Sequence, residues 1–68
     1  MTVASQVKQT IASLKGVKET LDTFASYEQN QSSKQILQQN AERVSDVIGE
    51  MESRVGVLEF EEPQYKGF

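Results

Sequence analysis

The chain contains no cysteine, no histidine and no tryptophan, and it has a single proline. Each absence closes a class of chemistry. Without cysteine there is no disulfide framework and no thiolate metal site. Without histidine the commonest general base and the commonest transition-metal ligand are missing. The serines at positions 5, 13, 26, 32, 33, 45 and 53 have no imidazole to activate them. Ser33 and Lys34 do not form a catalytic pair either, because sequence neighbours on a helix do not face each other. No glycine-rich phosphate loop is present. The sequence therefore predicts a protein that is not an enzyme and holds no cofactor and no metal.

Positive charge is also scarce. Seven Lys plus Arg stand against ten Asp plus Glu, a formal net charge of −3. Nucleic-acid binding draws on clustered cations; here the lysines are scattered and the second half is acidic, so no nucleic-acid partner is expected. No apolar run approaches the ~20 residues that span a bilayer. The N-terminus shows no basic segment followed by an apolar core, so no secretory leader is expected. The expected location is cytoplasmic, and Asn30-Gln31-Ser32 then matches a glycosylation acceptor only by chance. A chain of 68 residues is one domain at most. Domains this small usually need a staple or a partner to fold stably.

What is present is periodicity. Val3, Val7, Ile11, Leu14, Val17, Leu21 and Phe24 recur in steps of three and four, as do Leu37, Ala41, Val44, Ile48, Met51, Val55 and Leu58. Such steps place each set along one side of a helix. Thr2 suits the N-cap of the first helix, predicted to run over about 3–28. Gly16 sits inside it at a cost of about 1 kcal/mol relative to alanine. Lys15 with Glu19, Lys18 with Asp22, and later Glu50 with Arg54 are opposite charges four apart, the spacing of helical ion pairs. The polar segment 28–33 breaks the pattern, and Ser32-Ser33-Lys34-Gln35 reads as a capping box for a second helix over about 33–59. A break this short makes the helices antiparallel neighbours.

The second stripe is strictly heptad, with Ala41, Ile48 and Val55 in one series and Leu37, Val44, Met51 and Leu58 in the other, which implies a gentle left-handed supercoil. Ile36 and Val47 lie beside it. Gly49 and Gly56 fall away from it and read as surface glycines. The expected fold is an all-α two-helix hairpin over 1–59 that pairs with a second copy as a four-helix bundle, a homodimer.

The tail 60–68 is read as non-helical, since Pro63 disfavours helical geometry at Glu62. It carries three of the five aromatic residues, Phe60, Tyr65 and Phe68. Such a density points to docking against helix ends or a neighbouring subunit, with Phe60, Tyr65, Lys66 and Phe68 as the candidate partner-binding residues. The last four residues also suit a linear ligand captured through its carboxylate. Two further features have plain readings. Glu42, Asp46 and Glu50 form a row of carboxylates on one helix, but one rigid helix does not wrap a cation. The apolar stripes lack the Lys- and Arg-rich polar face of membrane-surface helices, so no membrane insertion is expected.

The opening Met1-Thr2-Val3-Ala4-Ser5-Gln6-Val7-Lys8-Gln9-Thr10, the segment Ala12-Ser13-Leu14-Lys15-Gly16 and the ending Glu61-Glu62-Pro63-Gln64-Tyr65-Lys66-Gly67-Phe68 resemble a family of small proteins of unknown function from endospore-forming Bacilli and Clostridia. The resemblance covers nearly the whole chain and is most specific at the ending. It implies a spore-related protein, commonly encoded near the genes for the spore membrane channel that carries dipicolinic acid, and it carries no catalytic or binding residues with it. The expected function is a non-enzymatic structural or accessory protein of the spore that acts through a protein partner, in the forespore or spore core or near the spore inner membrane. The rivals are a module binding a divalent cation or small ligand, and a regulator that caps a membrane protein through its tail.

Overall fold

The computed structural model describes residues 3–61, which form two helices, α1 (Val3–Tyr27) and α2 (Gln31–Glu61), and no strand. The helices pack side by side as an antiparallel hairpin. Its extents are 48 × 16 × 10 Å. The smallest of these is one helix diameter, so the described residues form a single layer with no third element above or below. Its radius of gyration, 15.1 Å, compares with about 11 Å for a compact chain of this length.

The connection spans only residues 28–30. The Glu28 N–H donates to the Phe24 carbonyl at 3.0 Å and closes α1. The cap of α2 is Asn30, not Ser32: the Asn30 Oδ1 accepts from the Ser33 N–H at 3.0 Å, and the Lys34 N–H donates to the Asn30 carbonyl at 2.9 Å. Asparagine caps as well as serine, and here it starts the helix two residues before the expected point. Glu28 supports the turn by accepting from the Asn30 N–H at 3.0 Å. At its other end α2 continues through Glu61, so Phe60 and Glu61 belong to the helix and not to a tail. The proposed cap Thr2 and residues 62–68 lie outside the described residues.

The core is the seam between the helices. Ile11, Ile48 and Val55 are buried, and Val7, Leu14, Val44 and Met51 pack against them. Ala4, Ala25 and Ala41 are buried along the same line. On α2 the observed seam is the predicted one. On α1 it is rotated: the buried row is Ala4, Ile11 and Ala25, one heptad position each with Lys18 between, whereas Val3, Val17 and Phe24 are exposed. Alanine at 25 lets the helices close together beside their three-residue connection, where a phenylalanine would hold them apart, since side-chain size sets the distance between helix axes.

Candidate interaction surface

Ion pairs settle which way each helix faces. Lys8 Nζ meets Glu59 Oε1 at 2.6 Å, and Lys15 Nζ meets Glu52 Oε2 at 3.2 Å. The two pairs are seven residues apart on both helices, so they fix the antiparallel register. Lys15 thus bridges to the other helix and not to Glu19. Lys18 pairs with Asp22 at 2.7 Å as its spacing predicts, while Glu50 and Arg54 do not pair with each other. All of these are surface pairs, worth about 0.2–1 kcal/mol each. Their value lies in register more than in stability.

These pairs occupy one broad face of the hairpin. It carries a shallow groove lined by Lys8, Ile11, Ala12, Val55, Gly56 and Glu59 among others. The opposite face is different in kind. Moving around α1 away from Lys8 and Lys15, the buried row gives way to half-buried Val7, Leu14 and Leu21, and then to Val3, Val17 and Phe24. On α2, moving away from Glu52 and Glu59, the order is half-buried Leu37, Val44, Met51 and Leu58, then Val47, then Ile36 and Val57. Phe24 is 58% exposed, Tyr27 80% and Ile36 57%. One face is therefore charged and paired, and the other is rich in exposed apolar residues, interrupted on α2 by Asn40, Arg43, Glu50 and Arg54. Isolated apolar residues on a surface are normal, but a contiguous strip marks an interaction site.

The serine and threonine hydroxyls on the apolar face of α1 are already bonded. Thr10 Oγ1 donates to the Gln6 carbonyl at 3.1 Å, Ser13 Oγ to the Gln9 carbonyl at 3.2 Å, and Thr20 Oγ1 to the Gly16 carbonyl at 3.0 Å. Hydroxyls bonded back to their own helix leave methyl and methylene groups outward. Covering this face would not strand them, and stranded polar groups are what make burial costly.

Of the residues singled out from sequence, Phe60 lies on the last turn of α2 with 88% exposure and takes no part in the core. Tyr65, Lys66 and Phe68 lie outside the described residues. Glu42, Asp46 and Glu50 are all exposed along one flank of α2, and among the described residues no group of three ligating side chains converges. Added Cβ atoms at Gly16, Gly49 and Gly56 would meet nothing within 4 Å, so these glycines mark no close backbone approach. Among the described residues no helix is long and apolar enough to cross a membrane. The residues that sequence reading missed are Val3, Val17 and Phe24, which were assigned to the seam and instead line the apolar face.

The fold and this surface define, over the described residues, a one-layer helical hairpin with one side rich in exposed apolar residues. Residues 7–55 match the family described as protein of unknown function (DUF1657), and the chain belongs to that family. Comparison with curated proteins and with solved structures gives no match.

Proposed function

We propose that this protein is a non-enzymatic structural or accessory protein that works by protein–protein contact, and that its first contact is with a second copy of itself in a four-helix bundle. The observation that carries the reading is the apolar face centred on Val17, Val47 and Phe24. In a layer one helix thick these side chains and the half-buried leucine row beside them have no cover among the described residues. Burying a large aliphatic or aromatic side chain is worth about 1.5–3 kcal/mol, so a second layer gains what the lone hairpin forgoes. Light scattering across a concentration series tests this; a cooperatively folded monomer at all concentrations would refute it.

The resemblance of both termini to proteins of endospore formers supports a role in the spore, next to a protein partner. Exposed Phe60, with Tyr65, Lys66 and Phe68 beyond it, is the segment we assign to that partner. Deleting the gene and following spore yield, heat resistance and dipicolinate content tests the setting. Pull-down with and without residues 60–68 tests the segment.

A further inference from the structure

Within that self-association reading, we propose that α2 packs antiparallel on α2 of the second copy, about a two-fold axis at Val47, with reciprocal Arg43–Glu50 ion pairs setting the register. The proposal rests on a row of exposed residues one heptad apart, Ile36, Arg43, Glu50 and Val57. Read in opposite directions on two copies, the row is self-complementary: Ile36 meets Val57, Arg43 meets Glu50, and each contact occurs twice. An isologous interface requires this reciprocity. The centre of the row falls at the level of Val47, which follows Arg43 by four residues and precedes Glu50 by three, and so lies beside both on the helix surface.

Three further observations agree. Val47 lies within one residue of the midpoint of α2 (Gln31–Glu61), so an axis there overlaps the two α2 helices along their whole length. Arg43 and Glu50 are exposed and make no ion pair among the described residues, whereas Lys8, Lys15 and Lys18 on the other side each meet a carboxylate. On α1 the row beside such an axis, Val3, Thr10, Val17 and Phe24, carries no charge, so nothing on α1 opposes the register set by Arg43 and Glu50. The competing arrangement, with both connections at the same end, lays α2 on α1 of the second copy. There Arg43 and Glu50 would face the uncharged row Ser13, Thr20 and Tyr27, and no ion pair would form.

The test uses the full chain, whose lack of cysteine makes single-cysteine variants clean probes. Val47→Cys should link to itself on mild oxidation. Ile36→Cys should not, because its two copies would stand twenty-one residues of helix apart, about 32 Å, against the ~7 Å between Cα atoms that a disulfide tolerates. In sedimentation equilibrium Arg43→Glu should weaken the dimer roughly tenfold, since it creates two like-charge contacts. Adding Glu50→Arg should restore the wild-type constant, with helicity of all variants unchanged by circular dichroism. Self-linking at Ile36→Cys, or a dimer indifferent to both charge reversals, overturns this arrangement while leaving self-association intact. A wild-type chain that remains monomeric at ~1 mM overturns self-association and the arrangement with it.

Discussion

Asn30 shows how much rests on one side chain in a three-residue connection. Its carbonyl oxygen on the side chain satisfies a backbone N–H that no helical carbonyl can reach, and it does so where the chain reverses. Asn30→Ala should lower stability by about 1 kcal/mol, read as a shift in chemical denaturation midpoint, because an orphan donor is left at the start of α2. Gly16 and Gly49 make the opposite case. Both sit in helical geometry with open space where a Cβ would go, so nothing in the fold requires glycine there. Replacing each with alanine should raise stability by about 0.5–1 kcal/mol per site, seen as a higher thermal midpoint. Neither position lies on the apolar face, so the gain should appear without a change in oligomeric state.

At the scale of the element, α2 was legible along its whole seam. Ala41, Ile48 and Val55 recur every seven residues and are buried, and Leu37, Val44, Met51 and Leu58 border them. Ile48→Asp should abolish the cooperative transition, because an unpaired carboxylate would have to enter the seam or open it. Glu42→Ala, on the exposed flank, should stay within about 0.5 kcal/mol of the parent. Helix α1 was harder to read. Both the row Val3, Val17, Phe24 and the row Ala4, Ile11, Ala25 lie next to Val7, Leu14 and Leu21, and both keep a seven-residue period. Hydrophobicity favoured the first row, since valine and phenylalanine outrank alanine. Packing favoured the second, which lets the helices approach and brings Lys8 and Lys15 within reach of Glu59 and Glu52.

At the scale of the molecule, a hairpin 10 Å thick exposes one side of every helix it contains. Stability gained by covering that side with a second copy depends on concentration. If the cover is a second copy, each tenfold rise in protein concentration adds about 1.4 kcal/mol to the folded dimer. The thermal midpoint should climb steadily with concentration in the wild type. It should climb less in Phe24→Ser, which removes an exposed aromatic from the apolar face without touching the seam. A midpoint independent of concentration in both proteins would show that the hairpin is self-sufficient.

The linear sequence by itself determined that there are two helices, where they break, that they run antiparallel, and which side of α2 is buried. These follow from local spacing, from a polar break too short for any other connection, and from a heptad repeat with only one apolar reading. It did not determine the rotation of α1 about its own axis, the residue that caps α2, or the existence of one charged and one apolar broad face. Rotation is decided between two apolar rows of equal period, and the choice depends on what the other helix offers. Alanine at 25 opposite a tight connection, and lysines whose partners lie more than thirty residues away in the chain, act only once the helices are side by side. The tertiary structure made that choice, and with it placed Val17, Phe24, Ile36 and Val47 together on the face left open.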